Sequence, residues 1–363
     1  MDIGKLAEQI KDIRLQYPDN LMARYFNEAY FQSLDQSKRD KLFQVIRSGL
    51  DNPDSQMGAY AQHVTDYEEF EPLLEPMIRD YHNIPNDQEI TQGHDWETLS
   101  ACNLEEIDFR LKSVSMRVRV GRNVAAFPLP GAMDKAQRLQ FEATMIVAFE
   151  ALQEDPQYGG NYFSLSPGSP YEIDAGGYRD RVRAHQMFKD MSGDRYLNSA
   201  GISSDWSFGR GMYITRAEDF IIWVGEEDHL RIMAMKQDGD LTALFARLKN
   251  GLDKFAALIP EFAHSTRYGY ITSCPTNLGS AMRASLHLPL PRLVEADKSL
   301  KSIKKVAAEI GLSVRGVGGE HSDAGLDGLV DISPSARLGI SENNIKQCLY
   351  EGAAKLWALE NSS

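Results

Sequence analysis

Apolar residues recur at three- and four-residue spacing through most of the first 95 positions. KLAEQIKDIRLQY, QSKRDKLFQVIRSGL and DYEEFEPLLEPMIRDYH each carry them on one face, so the spacing predicts three amphipathic helices. A turn-rich loop, DNPDSQMGAY (51–60), separates the second from the third. HNIPNDQEITQGHDWETLS (82–100) is polar and broken by Pro85 and Gly93. It predicts a connection between two domains. The expected division is a helical domain over 1–95, a linker over 96–111 and a larger domain over 112–363.

The pattern then changes period. In VSMRVRV, Val114, Met116, Val118 and Val120 alternate with Ser115, Arg117 and Arg119. A strand would place both arginines on one face, about 7 Å apart along the chain. DFIIWV (219–224), the turn GEED (225–228) and HLRIMAMK (229–236) predict a hairpin with two or three carboxylates at its tip. AMRASLHL predicts a further strand with Arg283, Ser285 and His287 on one face. Helices are predicted for MDKAQRLQFEATMIVAFEALQ, LTALFARLKNGLDKFAALI and SENNIKQCLYEGAAKLWALE. Another is predicted over 297–311, capped by Asp297 and ended by Gly311. Hairpins interspersed with helices predict an α+β domain, an antiparallel sheet with helices packed on one side.

Composition narrows the function. The formal net charge is −13, which repels a long anionic polymer, so nucleic acid is not an expected partner. Yet SMRVRVGRN (115–123) holds three arginines and no acid. Confined arginines in an acidic chain suit a pocket for a small anion. No apolar run approaches the roughly 20 residues that cross a bilayer, so no membrane association is expected. Cys102, Cys274 and Cys348 are too few and too far apart for a disulfide framework or a CxxC metal site. A reducing cytoplasm is the expected compartment.

The chain has no GxxxxGK[ST], no HRD and DFG pair, no HExxH and no GxSxG, which removes P-loop, protein-kinase, zincin and esterase chemistries. What remains is a set of arginines on polar strand faces or beside glycines: Arg117, Arg119, Arg231, Arg283 and Arg315. Their fixed forks of N–H donors match phosphate oxygens. Glu227 in GEEDHLR and Glu320 in RGVGGEH sit in accessible loops. Carboxylates repel phosphate, so beside it they must hold something cationic. Cys274, in ITSCPTNLG, reads equally as nucleophile, metal ligand, charged accessory or core filler.

CPTNLG with its downstream arginine resembles the signature of the phosphagen (guanidino) kinases. RVRVGRN, GDRYLNSAG, GRGMY, EEDHLRIMAM, RASLHLPLP, VRGVGGEHSDA and DISPSARLG resemble that family in its order, as do RSGLDNPDSQMGAY and DYHN in the helical part. The likeness spans essentially the whole chain. It implies a small helical domain and a larger antiparallel sheet flanked by helices, a glutamine-synthetase-like catalytic fold. It also implies reversible transfer of the ATP γ-phosphoryl group to a guanidine nitrogen, with Mg²⁺ held by phosphates and water rather than by protein ligands.

By the same resemblance, Arg117, Arg119, Arg231, Arg283 and Arg315 contact phosphates, Ser115 belongs to the ATP site, and His185 and His287 lie toward adenine. Glu227 and Glu320 hold the guanidinium, and the second carboxylate points to the arginine kinases. Cys274 would lie beside that guanidinium as an accessory thiolate, assisted by Ser273 or Thr276. Ser55, Gln56, Met57, Gly58, Ala59 and Tyr60 match the loop that holds the substrate's amino-acid end. Gln56, Met57 and Ala59 depart from the family pattern, as do Gly225 and Gly318. Asp54 and Arg195 match a pair that ties this loop to the catalytic domain, and the glycine-rich 316–328 stretch is expected to close over the substrate. The partners implied are ATP/ADP and L-arginine/phosphoarginine, in a monomer or homodimer. Alternatives are another small guanidine such as taurocyamine, a protein-arginine kinase, or a nucleotide-binding protein without catalysis.

Overall fold

The computed structural model describes residues 2–97, 101–297, 299–316 and 325–362. Six helices form the N-terminal part: Ile3–Gln16, Leu21–Tyr25, Glu28–Ser33, Gln36–Asp51, Asp66–Glu69 and Glu71–His82. Asp2, Asn20, Asn27 and Asp35 cap the first four, each accepting a backbone N–H from the first turn. The helix predicted over DYEEFEPLLEPMIRDYH divides at Phe70. Pro72 has no N–H to donate and fits only the first turn of a new helix. Leu42, Val45, Ile46, Leu73, Leu74 and Met77 pack into one core beneath these helices.

Eight antiparallel strands build the sheet of the larger part. They are β1 (Met116–Arg122), β2 (Gly160–Ser164), β3 (Gly211–Thr215), β4 (Phe220–Val224), β5 (Leu230–Lys236), β8 (Met282–Pro289), β9 (Leu312–Gly316) and β10 (Leu329–Pro334). Two-residue strands β6 (His264–Ser265) and β7 (Gly269–Tyr270) form a separate ribbon. The sheet order is β2-β3-β4-β5-β1-β8-β10-β9, so the arginine-bearing β1 lies near the middle. Its burial alternates strictly, as the sequence periodicity requires.

Val118, Val120, Ile232, Ala284 and Leu286 face a second core shared with Phe141, Met145, Leu244, Leu248, Leu349 and Leu356. Those partners come from helices Lys135–Leu152, Leu241–Ala256 and Glu342–Ser362. The helices thus cover one face of β1, β5 and β8; the arginines lie on the other, where Met233, opposite Arg119, is buried in a third apolar cluster.

The helix expected from Asp297 begins later, at Lys301. Leu300 has φ +57°, a left-handed conformation that interrupts the helical path. Asp297 still accepts from the backbone N–H groups of Ser299 and Ser302. Gly311 follows the helix with φ +76° and turns the chain into β9. Strands β2, β3, β9 and β10 lie outside the predicted strands, although LSVRG and LVDISP alternate apolar with polar residues. Among the described residues, no helix is long and apolar enough to cross a membrane.

Candidate active site

Directly opposed residues of an antiparallel pair share a face. Arg119 opposes Arg283, and Arg117 opposes Ser285 across β1 and β8. Arg231 opposes Gly121 across β5 and β1. Asp331 of β10 opposes both His287 on β8 and Arg315 on β9. The register therefore brings Arg117, Arg119, Arg231, Arg283, His287 and Arg315 onto one face. Ser115, just before β1, accepts the His287 backbone N–H at 2.9 Å through its carbonyl.

Among the described residues, neither Arg117 nor Arg119 donates a side-chain hydrogen bond or forms an ion pair, and Arg117 Nε is buried with no acceptor. Burial, then the neighbouring Arg231 and Arg283, pushes Arg117 down to about 10. Burial and the same like charges hold Arg119 well below its ordinary value. Leaving a desolvated charge unpaired costs several kcal/mol, on the order of 3–5. An anion with several oxygens would supply the missing acceptors.

Carboxylates stand at one end of this face. Gly225 has φ +72°, and a Cβ there would lie 2.7 Å from the Gly209 carbonyl oxygen. The tight turn needs glycine, and it delivers Glu226, Glu227 and Asp228 together. Arg231 Nη2 is 2.9 Å from Glu226 and 3.8 Å from Glu227. Burial, then the charges of Glu226 and Asp228, raises Glu227 to about 7, opposed by Arg231 and Arg337. A carboxyl near 7 can both receive a proton and hold a cation.

Cys274 immediately precedes a tight Pro275–Asn277 turn and is buried. Its Sγ lies 3.1 Å from Thr276 Oγ1. Burial, then Glu227, pushes the thiol up to about 12, with Thr276 opposing. Without substrate these surroundings favour the neutral thiol. Only a cation beside it would reverse that balance.

A cleft of about 390 Å³ opens next to Glu227, bordered by Asp54, Ser55, Gln56, Tyr60, Asp194, Tyr196 and Leu197. Arg195 Nη2 pairs with Asp54, and Tyr196 Oη donates to the same carboxylate at 3.1 Å.

A family model described as ATP:guanido phosphotransferase, C-terminal catalytic domain, matches residues 140–363, and its N-terminal counterpart matches 16–79. The chain belongs to the ATP:guanido phosphotransferase family. Members of this family are phosphotransferases acting on a nitrogenous group.

The chain is 36% identical to "Arginine kinase" of Artemia franciscana over 95% of its own length and 93% of that protein. It is 35% identical to "Arginine kinase" of Plodia interpunctella over 99% of this chain and 98% of the relative. Among solved structures, the substrate-free duplicated taurocyamine kinase from Schistosoma mansoni matches with a TM-score of 0.84, 28% identity and 99% of this chain. This chain spans 49% of that duplicated protein. A lombricine kinase matches with a TM-score of 0.83, 27% identity, 95% of this chain and 92% of its own.

Against the guanidino-kinase expectations, the specificity loop divides. Ser55, Gln56 and Tyr60 border the cleft. Met57 and Ala59 do not border it, and their side chains are buried in the N-terminal core. Gly58 turns the loop with φ +71° and donates its N–H to Ser55 Oγ. His185 is exposed, with φ +58°, and the described contacts do not join it to His287. Glu320 and Gly318 lie outside the described residues, as does most of the glycine-rich 316–328 stretch.

Three residues given no role by sequence reasoning belong here. Asp331 Oδ2 accepts from Arg283 at 2.5 Å. Arg337 Nη1 donates to Thr276 O at 3.3 Å and to Asn277 Oδ1, bracing the cysteine turn. Asp228 is buried and accepts from the Ser273 N–H at 2.7 Å. Asp331 and Arg337 both lie within DISPSARLG, and that motif was the available signal.

Proposed function

We propose that this phosphotransferase moves the γ-phosphoryl group of MgATP reversibly to free L-arginine, giving phosphoarginine and ADP. The observation that carries the reading is a pair of buried guanidiniums, Arg117 and Arg119, with no hydrogen-bonded or ion-paired acceptor among the described residues, on the same face as a carboxylate raised to about 7. An anion is wanted at one point and a cation at the next. MgATP and a guanidinium are such a pair.

The chemistry follows from that juxtaposition. Arginine's guanidinium, with a pKa above about 12, is no nucleophile until a nitrogen gives up its proton. Glu227 holds the planar fork, aims the nitrogen along the line to phosphorus and receives the proton. The five arginines spread over the phosphate oxygens and offset the charge of the transferring group. Mg²⁺ enters with the nucleotide. Glu320 is assigned to the second side of the guanidinium, and the Asp54–Arg195 pair to holding the acceptor loop against the catalytic part. His185 and His287 are assigned to the adenine side. The division into domains at 1–95 and 112–363, with cytoplasmic location, completes the reading.

The cleft wall favours arginine among small guanidines. Asp54, Asp194, Glu226 and Glu227 border it, a setting suited to an α-ammonium group and poorly suited to a sulfonate. A coupled ADP-release assay with L-arginine, taurocyamine, lombricine, creatine and an arginine-rich peptide tests this. Turnover on L-arginine at least tenfold above the others is expected. Preferred turnover on taurocyamine or lombricine would move the assignment to that substrate, and phosphorylation of the peptide alone would make it a protein-arginine kinase.

A further inference from the structure

Asn123 directly follows β1 and is fully buried. Its Nδ2 donates to Asp228 Oδ1 at 2.7 Å and to the Ile271 carbonyl at 3.0 Å. Its Oδ1 accepts the His229 backbone N–H at 2.8 Å. Both amide hydrogens and the carbonyl oxygen are therefore engaged, which fixes the side chain's orientation. Asp228 Oδ1 also accepts the Ser273 N–H at 2.7 Å. One amide thus joins the end of the arginine strand, the carboxylate tip and the segment leading into Cys274.

We infer that Asn123 is a positioning residue for phosphoryl transfer, acting through Asp228 to set the geometry and proton affinity of Glu227. The inference rests on the assignment of Glu227 as the carboxylate that meets the guanidinium. A packing residue in a turn would need none of these contacts. Here all three side-chain bonds end on the two segments flanking the acceptor.

The electrostatic half follows from what faces Glu227. Glu226 and Asp228 from its own turn raise its proton affinity, while Arg231 of β5 and Arg337 from beyond β10 lower it. The Cys274 thiol and the Tyr60 phenol also lie within its field. Asp228 is itself raised by burial, and the bonds from Ser273 and Asn123 oppose that. Removing the Asn123 donor lets Asp228 take a proton more readily. A protonated Asp228 no longer repels a charged Glu227, so the Glu227 carboxyl becomes more acidic. The geometric half is simpler: an unanchored tip lets the reacting nitrogen drift, and about 1 Å of misplacement costs on the order of 100-fold.

The test uses the full chain with Asn123→Ala and Asp228→Asn, the latter keeping both oxygen-accepted bonds while removing the charge. Expected for Asn123→Ala is a kcat loss of about 10- to 100-fold, with KM for MgATP within about twofold. In both variants a ¹³C-detected titration of the Glu227 carboxyl should move to lower pH. Unaltered kcat in Asn123→Ala overturns the inference, as does a kcat loss with an unmoved Glu227 titration, which is the outcome of packing alone. If Asn123→Ala fails to fold, an unmoved titration in Asp228→Asn overturns it. The titration needs no turnover, so an inactive wild-type chain would refute the kinase reading separately.

Discussion

Arg119 on β1 stands directly opposite Arg283 on β8. Like charges in that position destabilise a sheet pair, and Arg283 has Asp331 as a partner while Arg119 has no hydrogen-bonded or ion-paired one among the described residues. The ligand-free sheet therefore holds a repulsion, and on the proposed reading bound nucleotide would relieve it. Arg119→Met should melt several degrees higher than the wild type without ligand. MgADP at 100 times its wild-type Kd stabilises the wild type by about 2.7 kcal/mol, and most of that increment should vanish in the variant. Differential scanning calorimetry with and without MgADP reads both effects. A lower ligand-free midpoint would mean that Arg119 is a structural cation.

Glu227 gives the pH dependence a definite sign. Its folded value is raised from 4.5 to about 7, so in the free chain it is protonated below that point. A neutral carboxyl neither holds the guanidinium strongly nor takes its proton. kcat/KM for the guanidine should therefore fall about tenfold per pH unit below about 7. Bound guanidinium favours the carboxylate, so the limb in kcat itself should lie at lower pH. Stability runs the other way: this group's contribution to folding is fully present below 4.5 and lost as pH rises through about 7. Glu227→Gln should abolish the limb and lower kcat by about 10²- to 10⁴-fold, with MgATP binding retained.

Cys274 is a test of degree. Its thiol is neutral without substrate, and direct in-line transfer needs no phosphocysteine. Cys274→Ser should lower kcat by about tenfold and leave the KM for MgATP within about twofold. Steady-state kinetics at pH 8 would show it. Full activity would return the residue to core packing, and complete loss would give it a role beyond assisting the guanidinium.

Gly225 yields a structural prediction. Asparagine tolerates a positive φ better than most residues, yet any Cβ here meets the Gly209 carbonyl oxygen at 2.7 Å. Gly225→Asn should therefore lower both the melting temperature and kcat, because relieving the contact moves the carboxylate tip. A variant as stable and active as the wild type would show that the Gly209 segment yields freely.

Much of the catalytic face was legible because its signal is local. Two-residue alternation in VSMRVRV and AMRASLHL set which side of each strand the arginines occupy, and GEED between two apolar runs announced the carboxylate tip. Which strands become neighbours is not local. Nothing in the spacing says that Arg119 meets Arg283, or that Asp331 sits between His287 and Arg315. Asn123 and Arg337 act through partners about 60 to 150 positions away, so composition could not single them out. Met57 and Ala59 were assigned to the substrate because their loop is; only the fold reveals that their side chains turn into the helical core. Pro72 and Leu300 moved helix boundaries for the opposite reason, a backbone rule overriding an apolar pattern.

The acceptor loop is bonded to the cysteine segment by main chain: Ala61 N donates to Ser273 O at 2.8 Å, and Tyr67 Oη donates to Thr272 O at 2.7 Å. Backbone bonds of the first kind survive almost any side-chain replacement. Gln56, exposed at the cleft, can thus be replaced without breaking that link. A change of substrate choice would then need a new lining rather than a new scaffold.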